Sequence, residues 1–383
     1  MLIPVLYVVP ILVILPLIFW IRFKIKNPFW SCQPVIHPHH LFQKWTTPHV
    51  IKDDFYIQKF MNPLNIETVQ WNSLTEERKK EFASFISEHF YNKSGFKYLP
   101  KEEKHISPYF LRDKNSYLST YTTSGIPVGT ITNRTLRIHF SKTSFLLSYI
   151  DFLCVHQGHR KKQVAPELIQ THEYFQRTKS PQKSLVSLFK KEGKLHDFIP
   201  LVEYKTMVCD LKKQTKIPRG VINSHYSVVL FSLSNLKEIL NHLSEIKNQY
   251  SCFVIPTIES INEIIERKSI QIYGLIDRKT QEIYASYWFR DTGFYCQNDK
   301  PNVECFASMF DHTKCGEQDF IHGFLEALTT IAPHFNWLQL ECLGDNGYFY
   351  NLSWICEYKT PCAYYLYNYH HKPLKSHEIT LLI

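Results

Sequence analysis

A cluster of cations follows an apolar segment near the middle of the chain. Arg160, Lys161 and Lys162 come shortly after Phe152–Val155 and directly before Gln163-Val164-Ala165-Pro166. A proline in this position, followed by apolar residues at helical spacing, predicts that a helix begins here. The first N–H groups of a helix have no partner inside it, and its dipole is positive at this end. We therefore expect the loop to bind a phosphorylated ligand.

The segment before the loop is expected to position it. Ile150–Val155 is mostly apolar and predicts a buried strand that runs directly into the cations. The spacing Arg160-x-x-Gln163-x-Ala165 resembles the pyrophosphate loop of GNAT-type acyltransferases, which hold coenzyme A in this way. Those enzymes prefer glycine where Gln163 stands.

Four segments, in order along the chain, resemble the N-myristoyltransferases (glycylpeptide N-tetradecanoyltransferases). They are Phe29-Trp30-Ser31-Cys32-Gln33-Pro34-Val35, Phe152-Leu153-Cys154-Val155-His156 with Val164-Ala165-Pro166, Tyr364-Tyr365-Leu366-Tyr367-Asn368, and the apolar end Leu381-Leu382-Ile383. The resemblance spans residues 27–383. It implies an α/β (α+β) fold of two GNAT-like acyltransferase lobes around a saddle-shaped sheet. An acyl-CoA-binding lobe would cover residues 27–215, and a peptide-binding lobe residues 220–383.

The resemblance also implies a reaction. A myristoyl group would pass from myristoyl-CoA, the acyl-donor substrate, to the N-terminal glycine amine of a peptide or protein, with no cofactor or metal. The oxyanion formed on the thioester needs fixed donors, and the backbone N–H groups of Phe152 and Leu153 would supply them. The carboxylate of Ile383 would accept the amine proton. The coenzyme A contacts would be Phe29, Trp30, Phe152, Leu153, Cys154, Val155, Arg160, Lys161, Lys162, Gln163, Val164 and Ala165.

The segments expected to hold the peptide differ from the family pattern. Glu88–Gly95 lacks the family's acidic run, and Trp354–Thr360 has no glycine where the family has a glycine-rich loop. Loss of glycine removes backbone conformations with positive φ and close approach. A second hypothesis is therefore a catalytically degenerate, membrane-anchored protein that binds acyl-CoA or lipidated partners. A third is an acyltransferase for other acceptors, such as lysine side chains or small amines.

Composition narrows the function classes. The 383 residues are enough for two compact lobes. The 27 Phe and 23 Tyr suit the deep apolar walls that an acyl chain needs, although core packing explains most single aromatic residues. The formal charge is +9, and residues 156–195 hold nine Lys or Arg against three Glu, which favours anionic ligands. Without a zinc-finger or RNA-recognition signature, nucleic acid is not expected as a partner.

The ten cysteines contain no C-x-x-C pair and no regular spacing. This pattern argues against a zinc site and against a disulfide scaffold, and it predicts free thiols in a reducing compartment. Cys154 is expected to be a small buried residue rather than a nucleophile.

The N-terminus has the composition of a membrane segment. Met1–Ile21 carries no charged side chain and is long enough, at ~1.5 Å per residue, to cross a hydrocarbon core of ~30 Å. Arg22, Lys24 and Lys26 follow at once. They predict a single-pass anchor over 1–22, with the catalytic body facing the cytosol. The alternative of a cleaved signal peptide lacks a charged first region and a clear cleavage site. The glycosylation sequons, which would be used only by a lumenal body, begin at Asn92, Asn133 and Asn351.

Periodicity predicts two series of strands, each followed by a helix. The predicted strands are Tyr117–Thr123, Val128–Thr132, Leu136–Phe140, Leu146–Val155, Leu201–Leu211, Gln271–Ile276, Glu282–Phe289 and Trp337–Cys342. The predicted helices are Ser73–Ser87, one from about Ala165, Asn235–Ile246 and Ile321–Thr330. The lysine-rich segment Thr178–Lys194 predicts a long loop or a weak helix.

Overall fold

The computed structural model describes residues 17–37, 47–54, 59–90, 92–93, 96–213, 223–296, 301–350, 352, 354 and 356–383. The helices in these ranges are α1 (residues 17–26), α2 (Glu76–His89), α3 (Val164–Thr178), α4 (Leu236–Ile246), α5 (Ile258–Glu266), α6 (Glu317–Ile331) and α7 (Gly347–Tyr350). The predicted boundary between two lobes, near residues 215–220, falls in 214–222, outside the described residues.

The described strands come from both halves of the chain. They are β1 (His49–Val50), β2 (Ile66–Gln70), β3 (Asn92–Lys93), β4 (Phe96–Tyr98), β5 (Tyr117–Thr123), β6 (Ile126–Phe140), β7 (Ser144–Val155), β8 (Ser187–Glu192), β9 (Val202–Asp210), β10 (Tyr226–Leu230), β11 (Cys252–Pro256), β12 (Ile270–Asp277), β13 (Ile283–Cys296), β14 (Pro301–Phe310), β15 (Trp337–Glu341), β16 (Cys356–Tyr367), β17 (Tyr369–His370) and β18 (Ile379–Leu381).

Most of these strands form one mixed sheet. Its main path runs β10-β12-β13-β14-β15-β9-β16-β8-β7-β6-β11-β18, with β2, β3, β4 and β5 attached to it. Strand β9 of the first half lies between β15 and β16 of the second half, so the two halves share one hydrogen-bonded surface. The pairs β7–β8, β14–β15 and β11–β18 are parallel. The predicted mixture of helices with a large sheet is confirmed.

The sheet has a core on each face because successive side chains of a strand point to opposite sides. On one face, Leu188 of β8 and Tyr364 of β16 belong to a cluster that also contains Ile383. On the other, Tyr365 and Tyr367 pack with Phe23 and Val35 from the N-terminal segment. We call the first the Ile383 face. We call the second the α3 face, because α3 packs on this side. Its Val164 and Leu168 contact Ile131 and Val128 of β6.

Several elements form where the sequence predicted them. Helix α2 begins after Thr75, whose side chain accepts a hydrogen bond from the N–H of Arg78 and satisfies one free donor of the first turn. Strand β6 differs from its prediction. The strands predicted separately at Val128–Thr132 and Leu136–Phe140 are joined into one continuous strand. The prediction for Thr178–Lys194 is wrong in part, since Ser187–Glu192 forms β8 inside the sheet.

The predicted membrane anchor is corrected. Residues 1–16 of the proposed segment lie outside the described residues. Helix α1 covers residues 17–26, and it includes Arg22, Lys24 and Lys26. Ten residues of helix reach only ~15 Å, about half of a bilayer core. In the part of the chain that the structure describes, no helix has the length and apolar character needed to span a membrane, so the single-pass localisation is wrong on this finding.

The expectation that every cysteine is a free thiol is also wrong. Cys209 of β9 and Cys356 of β16 stand directly opposite in the sheet and form a disulfide. They are 147 residues apart in sequence, which is why spacing patterns gave no sign of the pair. The bond fixes the start of β16, the segment that the resemblance aligns with a glycine-rich loop.

Gly129 allows α3 to approach β6 closely. A Cβ atom there would lie 2.8 Å from Cδ1 of Leu168 and 2.9 Å from Cγ1 of Val164. We expect Gly129→Ala to push the first turn of α3 away from the sheet and to lower the free energy of unfolding by about 1–3 kcal/mol, as overpacking does. Urea unfolding would measure the loss.

Gly347→Ala is the matched control for this substitution. Gly347 is the first residue of α7 with a helical φ of −55°, and an added Cβ would have no atom within 4 Å. The control should stay within about 0.5 kcal/mol of the parent protein. An equal effect of both substitutions would refute the close approach at Gly129.

Candidate functional site

The parallel strands β7 and β8 separate in the middle of the sheet. They pair at Ser148–Ser187, Tyr149–Leu188 and Ile150–Phe189, and there the pairing ends. Each strand continues along its other neighbour: β7 stays on β6 through Val155, and β8 stays on β16 through Glu192. A cleft therefore opens at the carboxyl ends of two parallel strands, the position where open α/β sheets bind ligands.

A cavity of about 720 Å³ occupies this cleft. Residues of both sheet faces line it. Phe189 and Ile169 come from the α3 face, together with Phe29 and Trp30 of the N-terminal segment, and the ring of Trp30 stacks on Phe189 with centroids 5.8 Å apart. Residues of the Ile383 face that line it are Tyr149, Lys190, Tyr364 and Ile383 itself. The cavity thus reaches through the sheet, with an aromatic wall on one side and a charged wall on the other.

Strand β7 has a bulge where it meets the cleft. Phe152 has a φ of 47°, a left-handed conformation that is uncommon for a bulky residue. The ladder with β6 shifts here, between Thr130 and Thr132. The ring of Phe152 packs against Phe82 of α2, whereas Leu153 remains 37% exposed and lines the cavity. A strained backbone at a cleft is typical of a functional site.

The N–H of Phe152 is already hydrogen-bonded in this structure. It donates to Oδ1 of Asp151 at 2.8 Å. Burial raises the pKa of the Asp151 carboxyl above its ordinary value, while the nearby charge of Arg134 and the bond from Phe152 oppose that rise. Asp151 therefore competes for one of the two donors expected to stabilise an oxyanion.

The cationic loop connects the bulge to α3. Lys161 and Gln163 both have a φ of 65°, and Lys161, Lys162 and Gln163 are exposed. The left-handed Gln163 directly precedes the right-handed first turn of α3, and such a pair turns successive N–H groups toward one side to form an anion-binding concavity. Arg160 has a structural role here, because its guanidinium donates to the carbonyl oxygens of Val155 and His89 at 3.2 and 2.7 Å.

Buried ion pairs form the charged wall. Lys190 contacts Glu341 and also Glu192, the latter at 2.6 Å, and Arg290 contacts Glu304. Burial, together with the charge of Glu304, raises the pKa of Glu341 to about 7, although Lys190 opposes the rise. Desolvation makes such charges costly unless each is paired, so these groups hold one another in a fixed arrangement.

Ile383 lies beside this wall. It is 6% exposed, and its main-chain oxygen accepts a hydrogen bond from Nη1 of Arg290. Leu382 and Ile379, next to it, are buried, and β18 pairs with β11. The last residue of the sequence is therefore held in place within the cavity, on the opposite face from Trp30.

The structure brings together six of the thirteen residues predicted for the site. Those that line the cavity are Phe29, Trp30, Phe152, Leu153, Ala165 and Ile383. Cys154, Val155 and Val164 lie outside its lining, as do Arg160, Lys161, Lys162 and Gln163 of the loop. Cys154 is buried, and burial raises the pKa of its thiol to about 12, so it is not a nucleophile at neutral pH. No group of three or more His, Cys, Asp or Glu in the described ranges is arranged to hold a metal ion.

Sequence reasoning missed the polar residues of the charged wall. Asp151 is the one polar residue in an otherwise apolar strand segment, and that interruption is a signal that could have been used. Arg134 fell between two predicted strands that are one strand in the structure. Arg290 and Glu304 are on separate strands and meet only through tertiary contact, so the sequence contains no local pattern for them.

Comparison with known proteins agrees with this geometry at the level of fold. No family model matches the chain, and no curated protein matches it. The crystal structure of Saccharomyces cerevisiae N-myristoyltransferase with bound myristoyl-CoA aligns with a TM-score of 0.72 and 14% identity, over 91% of this chain and 94% of that chain. Another structure of the yeast enzyme, with bound myristoyl-CoA and inhibitors, gives the same TM-score and identity over 91% of each chain.

A more distant match is a tandem GNAT protein from the clavulanic acid biosynthesis pathway, with a TM-score of 0.55 and 11% identity over 79% of this chain and 98% of that chain. Identities this low establish the fold alone. The mixed α/β fold with a large sheet that the resemblance implied is confirmed by its similarity to the yeast N-myristoyltransferase and the tandem GNAT protein, whereas the division into two lobes stays a prediction.

The raised pKa of Asp151 predicts a pH-dependent cost to stability. Because the folded protein disfavours the ionised form, the cost is absent below the ordinary pKa near 3.8 and grows as pH rises through the folded-state value. Asp151→Asn should therefore gain free energy of unfolding relative to the parent protein as pH rises from 4 to 8. Urea unfolding across this range would measure the difference.

Asp277→Asn provides a control of opposite sign. Backbone N–H groups of Thr280 and Lys279 donate to Asp277 and lower its pKa, so its ionised form stabilises the fold above that pKa. Its substitution should lower the free energy of unfolding by a nearly constant amount from pH 4 to 8, because this contribution disappears only below the ordinary pKa near 3.8. If the difference for Asp151→Asn does not change with pH, a raised pKa of the Asp151 carboxyl is excluded.

Proposed function

We propose that this protein is an acyl-CoA-dependent N-acyltransferase that moves a myristoyl group from myristoyl-CoA to the N-terminal glycine amine of proteins. The observation that carries the proposal is the cavity at the separation of β7 and β8, which joins an aromatic wall to a charged wall through the sheet. It lies in a fold shared with a myristoyl-CoA-bound enzyme.

The two faces of the sheet suit the two substrates. The cationic loop and the first turn of α3 would hold the phosphates of coenzyme A. The acyl chain would lie against Phe29, Trp30 and Phe189, where apolar surface is available. The acceptor amine would enter on the Ile383 face, where carboxylates line the cavity. Donor and acceptor would then meet at the bulge from opposite sides.

The transfer needs no covalent enzyme intermediate. The amine nitrogen bonds to the thioester carbonyl carbon, and the oxyanion that forms is stabilised by the N–H groups of Phe152 and Leu153. The carbon–sulfur bond then breaks, and coenzyme A leaves as a thiol. The proton that the amine loses passes first to the carboxylate of Ile383 and finally to the sulfur. The hydrogen bond from the Phe152 N–H to Asp151 must break before this N–H can donate to the oxyanion.

One observation favours the second candidate, an acyl-CoA-binding protein that has lost catalysis. The Asp151 carboxylate occupies the Phe152 donor in this structure, and an ionised group there would repel a developing oxyanion. The altered peptide segment points the same way, because Cys356, at its centre, is fixed to Cys209. Binding of acyl-CoA without transfer is the outcome that this candidate predicts.

Transfer to peptides tests the proposal directly. The full-length protein would be incubated with myristoyl-CoA and a diverse library of glycine-initiated peptides, and free coenzyme A thiol and peptide mass would be followed. We expect peptides that gain one myristoyl group at the N-terminal amine. Acetylating that amine in a matched library should abolish the gain. Tight acyl-CoA binding with no acylated peptide would support the degenerate candidate instead.

Extending the chain beyond Ile383 tests the carboxylate. Two added residues would move the carboxylate away from the cavity, where Ile383 is tightly enclosed. We expect kcat to fall by ~100-fold or more, the contribution typical of a general base, while acyl-CoA still binds. Insertion of the same two residues after Lys279, in the exposed turn between β12 and β13, is the control. Unchanged turnover in the extended protein would remove this carboxylate from the mechanism.

A further inference from the structure

Arg134 is a buried cation of the cavity wall that lacks an acidic partner. It is 5% exposed, and its guanidinium carbon lies 4.7 and 5.1 Å from the ring centroids of Tyr109 and Tyr149. Its Nε has no hydrogen-bond partner. Among the described residues, no carboxylate oxygen lies within 4.0 Å of a guanidinium nitrogen of Arg134, so Arg134 forms no ion pair with them. Aromatic faces attract a guanidinium, but they do not neutralise it.

The other large cations of this wall are paired. Lys190 contacts Glu341, and Arg290 contacts Glu304. Asp151 is close enough for its pKa to respond to the charge of Arg134, but its carboxylate accepts a hydrogen bond from the Phe152 N–H. A buried charge without a partner is unfavourable. Arg134 therefore has the properties of a group that is completed by an anionic ligand.

The position of Arg134 separates it from the phosphates of an acyl donor. Arg134 stands opposite Tyr149, whereas Gly129 stands opposite Val155, where the cationic loop begins. Five residues of strand separate the two positions, about 17 Å. Tyr109, which stacks on Arg134, also lines a small adjoining cavity with Ile383. Arg134 thus belongs to the side of the cavity where the proposed function puts the acceptor.

We propose that Arg134 binds a carboxylate of the acceptor, so that the substrates are amines with an anionic group close to the reacting nitrogen. The inference rests on the proposed acyl transfer. Tyr149 is three strand residues from the bulge at Phe152, about 10 Å, and an arginine side chain spans part of that distance. The carboxylate is therefore an acidic side chain at the second or third residue of a peptide, or the α-carboxylate of free glycine.

The planar guanidinium is suited to this ligand. Its N–H groups match the two oxygens of a carboxylate, and charge-assisted bonds of this kind are about twice as strong as neutral ones. The stacked rings of Tyr109 and Tyr149 restrict its orientation. An amide in place of the carboxylate retains the shape of the acceptor but removes its charge, which makes Asp–Asn pairs the sharpest probes.

The test compares matched acceptors with the full-length protein and myristoyl-CoA. Peptide pairs begin Gly-Asp or Gly-Asn, or carry the same change at the third residue, and free glycine is compared with glycinamide. We expect the carboxylate member of one pair to have a kcat/KM at least about tenfold higher. The pair that shows the preference identifies the source of the carboxylate. Transfer with equal kcat/KM in every pair would overturn the inference and leave the proposed function intact.

Two substitutions of Arg134 test whether this residue causes the preference for a carboxylate. Arg134→Gln should reduce the ratio of kcat/KM within the preferred pair to about one, and Arg134→Lys should give an intermediate ratio because it retains the charge without the planar fork. Arg137→Gln makes the same charge change at an exposed position of β6 and should keep the full preference. A preference that survives Arg134→Gln would overturn the inference.

Direct binding separates this inference from the proposed function. Isothermal titration calorimetry of the matched peptides, in the presence of myristoyl-CoA, reports recognition even when no acyl group is transferred. If no peptide is acylated but the acidic member binds at least about tenfold tighter through Arg134, the transfer proposal fails and the carboxylate site stands. Equal binding of both members, without transfer, would overturn both.

Discussion

The separation of β7 and β8 is the constraint on which the rest of this structure depends. Once their pairing ends at Ile150 and Phe189, the backbone groups that faced each other lose their partners, and buried backbone groups must find others. Some take side-chain partners, as Phe152 takes the carboxylate of Asp151. A ligand that inserts between the strands can satisfy the remainder, so the same break that weakens the sheet makes it able to bind.

The break also determines where charge can lie. Lys190 is on β8 just beyond the last paired residue, and it points to the face that carries Tyr364 and Glu341. Side chains one position earlier or later point to the aromatic face. A single opening in the sheet therefore connects two environments of opposite character, and a reaction between an apolar donor and a charged acceptor needs both within a few ångströms.

Local patterns explain what the sequence could predict. The strand through Phe152, the start of α3 just before Pro166 and the hairpin after Gln271 depend on neighbours in the chain, so periodicity identified them. Strand β8 was missed because its lysines read as solvent-exposed, whereas Lys190 is neutralised by a residue 151 positions away.

The candidate site likewise contains residues that local patterns predicted and residues that they did not. Phe29, Trp30, Leu153 and Ala165 came from short motifs, and they line the cavity. Arg134, Tyr109 and Tyr149 form a unit only through tertiary contact, so no window of the sequence contains it. The Cys209–Cys356 bond was hidden for the same reason.

The buried ion pairs of the charged wall have a consequence for behaviour on warming. The desolvation penalty of a buried charge falls as temperature rises, while the stabilisation from apolar burial levels off. The pairs Lys190–Glu341 and Arg290–Glu304 should therefore lose less of their strength on heating than the aromatic clusters around α2 and α6. The share of the stability that comes from the centre of the sheet would then increase with temperature.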